Sequence, residues 1–200
     1  MKLRQLEIKL QKIQGFPSPS ANLEQYMTPA PLAARLLYEA ALSGDIAGRK
    51  VLDLGCGTGM LSIGAALLGA EVTGVDTDEA TLRVARENAK TFGVEIKFIQ
   101  MHIDDNSSGL SADTVIMNPP FGAQKEHADR PFLDFAIRVA PVCYGIFNKG
   151  RIPFIEAYTK NKAVITSKTA ALLNIPKQFI FHTKDNLEIP VEIIRLERIA

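Results

Sequence analysis

One stretch limits the possible folds more than any other: Val51-Leu52-Asp53-Leu54 runs directly into Gly55-Cys56-Gly57-Thr58-Gly59. The first four residues suit a buried strand. Glycine adopts left-handed backbone at little cost, so the glycines predict a sharp turn. Residues 60–68 then predict a helix. The unit recurs down the chain. Residues 71–75 predict a strand, and Thr77-Asp78-Glu79 caps a helix that runs to Phe92 and stops at Gly93. Strands follow at 95–100 and 114–117, with polar residues 104–111 read as a loop. Pro131 opens a helix through Val139, and 143–147 reads as a strand. Residues 152–159 predict a short helix. Strands at 163–166, 178–182 and 191–196 complete the sheet, the last two flanking Lys184-Asp185-Asn186 as a hairpin turn. Alternating strands and helices demand a mostly parallel sheet covered on both faces.

Ahead of this core, Leu3, Leu6, Leu10 and Ile13 predict an amphipathic helix over 2–14. The chain breaks over 15–20. Thr28 as N-cap and Pro29 in the first turn predict a second helix, with Leu32, Leu36, Leu37, Ala40 and Ala41 as its buried face and Gly44 as its stop. The chain is expected to form one domain, residues 1–45 a helical cap and 46–200 the catalytic core.

The 200 residues can bury a real core. Their net charge of +1 does not advertise nucleic acid, although local patches matter more than the sum. With no Trp and few Tyr there is no broad stacking platform for single strands. No apolar run approaches the ~20 residues that span a bilayer. The first residues are charged and lack an apolar leader, so no membrane and a cytoplasmic location are expected. Cys56 and Cys143 give neither a disulfide framework nor zinc spacing.

Two places carry chemistry. In a doubly wound sheet, ligands bind beyond the carboxyl ends of the strands. There the turn at Asp53, Gly55, Cys56, Gly57, Thr58 and Gly59 lets a ligand approach the backbone. Asp76, ending the second strand, can accept hydrogen bonds from both ribose hydroxyls. No phosphate-binding Lys follows, and the spacing departs from that of dinucleotide sites. The second place is Asn118-Pro119-Pro120-Phe121, at the end of strand 114–117. Two prolines supply no donors and continue neither helix nor central strand. A polar Asn, a rigid double proline and an aromatic ring make a stiff wall with acceptors and one stacking face, suited to a flat base bearing an amino group. The Asn118 side-chain carbonyl and the Pro119 backbone carbonyl would hold the amine, and Phe121 would stack on the ring.

The glycine turn resembles the S-adenosylmethionine motif of Rossmann-like methyltransferases. A wider set of segments extends the likeness: Leu23-Glu24-Gln25-Tyr26-Met27-Thr28-Pro29, Leu61-Ser62-Ile63-Gly64-Ala65, Leu68-Gly69-Ala70, Val115-Ile116-Met117-Asn118-Pro119-Pro120-Phe121-Gly122 and Phe147-Asn148-Lys149. Together they resemble the methyltransferase-like family that makes N6-methyladenosine in small-subunit ribosomal RNA, over nearly the whole chain. The resemblance implies an α/β class I methyltransferase: a Rossmann-like, seven-stranded, mostly parallel sheet with helices on both faces and an antiparallel C-terminal hairpin strand. It implies S-adenosyl-L-methionine as cofactor. By the same resemblance Gln25 and Thr28 line the cofactor pocket, and Gly55, Thr58 and Met60 contact the methionine moiety. Asp76 then holds the ribose, and residues 118–121 grip the adenine. The family favours an acidic residue just after the third strand, where His102 stands here. His102, Asp104 or the Ile103 backbone could meet the cofactor adenine, with the backbone ranked first.

The resemblance also implies ribosomal RNA as partner and a small zinc-binding activator protein, which strand 95–99 could receive by edge pairing. Lys149, Arg151, Lys168, Lys177 and Lys184, or Lys2, Arg4, Lys9 and Lys12, could rim the RNA site. Two other functions stay open: methylation of guanine N2 or protein glutamine N5, since Asn-Pro-Pro-aromatic serves those as well, and a cofactor-binding module without turnover.

Overall fold

The strand that leads into the glycine turn, β1 (Lys50–Leu54), lies near the centre of a seven-stranded sheet. The structure is a computed structural model and describes residues 1–16, 26–103, 109–121, 128–176 and 186–199. The other strands are β2 (Glu71–Asp76), β3 (Ile96–Gln100), β4 (Thr114–Met117), β5 (Val142–Asn148), β6 (Ala163–Pro176) and β7 (Asn186–Arg198). Their order is β3-β2-β1-β4-β5-β7-β6. The first five run parallel, and β7 runs antiparallel to both of its neighbours, β5 and β6. The chain winds outward from β1 to β3, then returns to lay β4 on the other side of β1. The switch point of the sheet therefore falls between β1 and β4.

Alternation along each strand splits the core in two. On β4, Ile116 joins one buried cluster while Val115 and Met117 join the other. The first cluster takes Leu6 and Leu10 of α1 (Leu3–Leu10), Leu36 and Leu37 of α2 (Ala30–Leu42), Ile63 of α3 (Met60–Leu67) and Ala89 of α4 (Glu79–Phe92). The second takes Leu133 and Phe135 of α5 (Asp129–Val139) and Ile155 of α6 (Ile152–Thr159). Each fully buried Leu or Phe side chain contributes roughly 1.5–3 kcal/mol of hydrophobic stabilisation. Helices thus cover both faces, as the apolar runs in β1 and β4 require. Gly64 lets α1, α2 and α3 converge, because a Cβ there would collide with the Leu37 side chain and press on Leu10. Among the described residues no helix is long and apolar enough to cross a membrane.

Most predicted elements sit within two residues of their observed bounds. The first helix is shorter than the apolar spacing suggested. It ends at Leu10, although turn hydrogen bonds carry the chain to Ile13. Leu3 stays exposed while Leu6, Leu10 and Ile13 are buried. Thr28 does not cap α2. Pro29 occupies the N-cap, and the Thr28 hydroxyl is used elsewhere. The strand expected at 163–166 is really 14 residues long. It pairs antiparallel along the full length of β7, with Pro176 opposite Asn186. Asn186 is therefore a strand residue rather than a turn residue. Residues 178–182, Lys184 and Asp185 lie outside the described residues. A bulge between Ile165 and Ser167 masks the strand, since it interrupts the two-residue period.

Candidate active site

The glycine turn leaves β1 and folds back toward β2. The Gly55 and Cys56 amides both donate to the Val75 carbonyl at 2.9 Å. The Gly57 amide donates to Asp76 Oδ2 at 2.9 Å, and the Asp78 amide donates to Oδ1 at 3.0 Å. Gly59 has φ +90° and forms the N-cap of α3, a conformation that costs an L side chain dearly. Two aromatic rings close on this turn. A Cβ at Gly55 would lie 3.2 Å from Phe132, and one at Gly57 would lie 3.1 Å from Phe16. The glycines thus leave a cradle that a side chain would fill.

Asp53 lies beneath the turn, 1% exposed. Its Oδ2 accepts from the Ser62 hydroxyl at 2.6 Å, while Oδ1 is buried without a partner. Burial pushes its carboxyl up to about 7, against the lowering effect of the Ser62 bonds. Burial also raises the Asp76 carboxyl, despite the amides of Asp78, Gly57 and Thr77. The Cys56 thiol is raised well above its usual range, by burial first and then by the Asp53 and Asp76 charges, so it stays protonated. Thr58 and Met60 are buried at the start of α3. The Thr58 carbonyl accepts from Asn88 Nδ2 at 2.9 Å. The same amide group donates to the Gln14 carbonyl at 3.0 Å, and Asn88 Oδ1 accepts from the Gln14 amide at 3.1 Å. Asn88 therefore fastens the segment after α1 to the glycine turn.

The Asn118 wall stands across the switch point. Val75 and Met117 both pair with Leu54, on its two sides. Asp76, Gly55 and Asn118 follow these three residues and sit at one level of the carboxyl edge. Two strand spacings put Asp76 and Asn118 about 10 Å apart. Asn118 Nδ2 donates to Thr28 Oγ1 at 2.9 Å, and the Tyr26 hydroxyl donates to Asn118 Oδ1 at 3.3 Å. The rings of Tyr26 and Phe121 lie 5.7 Å apart, tilted by 48°. Pro119 is buried, and Pro120 and Phe121 are half-buried.

The structure brings Asp53, the glycine turn and Asp76 into one unit, and Thr28 with Asn118 into another. His102 is exposed and Ile103 half-buried just past β3, where the Met101 amide donates to the Asp76 carbonyl at 2.9 Å. Gln25, Asp104 and Gly122 lie outside the described residues. Lys149 and Lys168 are exposed, but Arg151 is committed to a two-pronged 2.8 Å pair with Asp129. Lys177 lies outside the described residues. Sequence reasoning missed Phe16, Phe132, Asn88 and Tyr26. The first three had no local signal. Tyr26 stands out in the sequence only within the segment Leu23-Glu24-Gln25-Tyr26-Met27-Thr28-Pro29.

Residues 32–141 match the family model for the methyltransferase small domain. The chain is 37% identical to the rRNA N(6)-adenosine-methyltransferase METTL5 of Danio rerio, across 98% of each protein. It is 41% identical to an uncharacterized protein of Methanocaldococcus jannaschii, across 100% of this chain and 96% of the relative. A crystal structure from Pyrococcus horikoshii, described as a candidate RNA methyltransferase, superposes with a TM-score of 0.92 at 41% identity, covering 100% of this chain and 99% of the other.

Proposed function

Since the chain belongs to the methyltransferase small-domain family and is an S-adenosylmethionine-dependent methyltransferase, we propose that it methylates the exocyclic N6 amine of an adenine in RNA, specifically in small-subunit ribosomal RNA. The carrying observation is the register that sets Asn118, with Phe121 beside it, level with Asp76 across β1. Full-length likeness to the zebrafish rRNA N(6)-adenosine-methyltransferase supports the choice of amine.

The residues fit the cofactor on two observations: a glycine turn with no room for side chains between its backbone and the rings of Phe16 and Phe132, and the unpaired Asp53 Oδ1. S-adenosylmethionine, when bound, supplies a methyl group made electrophilic by its sulfonium. The amides of Gly57, Asp78 and Thr77 face the Asp76 carboxylate, which keeps a lone-pair site for a ribose hydroxyl. Gly55, Thr58 and Met60 border the methionine moiety, with Thr28 closing it from the N-terminal side. The Ile103 backbone, rather than the exposed His102, meets the cofactor adenine. Asp53 Oδ1 answers a donor such as the methionine ammonium.

A neutral exocyclic amine is a weak nucleophile because its lone pair is delocalised into the ring. The Asn118 side-chain carbonyl and the Pro119 backbone carbonyl accept its two hydrogens, which draws the nitrogen toward tetrahedral geometry and frees the pair. Phe121 stacks on the base, which must arrive unpaired or flipped out. Fixing the nitrogen in line for attack supplies the proximity contribution. The proton leaves after transfer, so no strong base is required.

RNA phosphates meet exposed lysines such as Lys149 and Lys168. A small zinc-binding activator adds to the edge strand β3, where Glu95 and Lys97 are exposed. A cytoplasmic setting belongs to the same reading. The test is nucleoside mass analysis of isolated small-subunit RNA after incubation with S-adenosylmethionine, with and without the activator. N6-methyladenosine is expected. Its absence, or N2-methylguanosine in its place, sinks the reading.

A further inference from the structure

We propose that Tyr26 positions the acceptor amine: its hydroxyl fixes the Asn118 carbonyl toward the substrate, and its ring forms the side of the base site beside Phe121. This rests on the adenine reading above. The Asn118 amide is pinned at both ends, by Thr28 Oγ1 accepting from Nδ2 at 2.9 Å and the Tyr26 hydroxyl donating to Oδ1 at 3.3 Å. Its carbonyl and amino groups are nearly the same size, so only such partners decide which one faces the site. A flipped amide would present a donor to the donor hydrogens of the amine. Tyr26 uses one of the two carbonyl lone pairs and leaves the other for the amine hydrogen.

The ring adds a second contribution. Its 5.7 Å separation from Phe121 is ordinary for an aromatic pair. A base that stacks on the face of Phe121 turned toward Tyr26 lies against both rings. Both contacts come from a residue some 90 positions earlier in the chain. They are neutral, which suits an uncharged base and leaves phosphate attraction to the lysines.

The two contributions separate by mutation. Methyl transfer to isolated small-subunit RNA is followed at steady state, with cofactor affinity by calorimetry and Tm for each variant. Tyr26→Phe keeps the ring and loses the hydroxyl. It should lower kcat about tenfold, as for one lost hydrogen bond. The KM for RNA and the cofactor Kd should stay within about twofold. Tyr26→Leu loses the ring too and should raise the KM for RNA by a further tenfold or so, as for one lost stacking contact. A merely structural role would lower Tm and cofactor affinity together and leave kcat of the folded enzyme intact. An unchanged kcat in Tyr26→Phe, or a fall matched by cofactor affinity, overturns the role of Tyr26. Wild-type enzyme that transfers no methyl group to this RNA overturns the substrate reading, and this proposal with it.

Discussion

The glycine turn and the Asn118 wall flank the same switch point, yet they are held by different bonds. The turn is secured by main-chain amides, donating to the Val75 carbonyl and the Asp76 carboxylate within one strand-turn-helix-strand unit. Asn118 is secured by two side chains, Tyr26 and Thr28, from a segment that precedes the first strand. Main-chain bonds follow from local backbone shape and survive most substitutions nearby. Side-chain bonds depend on two distant segments meeting. The glycine turn is therefore built into the fold, while the Asn118 wall is assembled on it.

Four measurements break or sharpen this contrast. Asn118→Ala should cut methyl transfer about 10²–10³-fold, the range seen when one preorganised polar group at a reacting centre is lost. Cofactor affinity by calorimetry should barely change. Surviving activity would remove Asn118 from the mechanism.

Asp53 makes the glycine-turn half pH-sensitive. Its carboxyl is raised from 3.8 to about 7 in the folded protein. Between those values the folded protein keeps a proton that the unfolded chain has released. Its contribution is therefore most favourable below about pH 4 and weakens as pH rises toward 7. The slope has a ceiling of about 1.4 kcal/mol per pH unit. Urea unfolding from pH 4 to 8 should show this slope in the wild type and a flatter one in Asp53→Asn. Equal slopes would exclude Asp53 as the source.

Asp76→Ala should weaken S-adenosylmethionine binding about 10–100-fold, or ~1.4–2.8 kcal/mol. Unaltered binding would detach Asp76 from the ribose. Asn88→Ala should cost about 1–2 kcal/mol in chemical denaturation, since it deletes three neutral hydrogen bonds, one buried and the two to Gln14 part-buried. No loss of stability would show the N-terminal segment to be held by its apolar contacts alone.

The same contrast explains what could be read in the sequence. β1, the glycine turn, β2 and the cap of α4 follow from local signals, and Asp78 does cap α4 by accepting from the Ala80 amide. Asn118-Pro119-Pro120-Phe121 was legible because no ordinary strand ends that way. Its partners were not, since nothing near Tyr26 announces a bond to Asn118, and Thr28 looked like a helix cap. Phe16 and Phe132 read as routine apolar residues until the fold set them against Gly57 and Gly55. β6 was cut short because its bulge breaks the alternation that marks a strand.

Asn88 grips Gln14 and Thr58 with one amide, so the N-terminal arm and the glycine turn share an anchor. Thermodynamic reciprocity applies to such an anchor: by whatever factor a ligand on the turn changes a partner's affinity for the arm, that partner changes the ligand's affinity. A ligand that slows amide exchange at Gln14 when it binds the turn would show that this anchor carries the coupling.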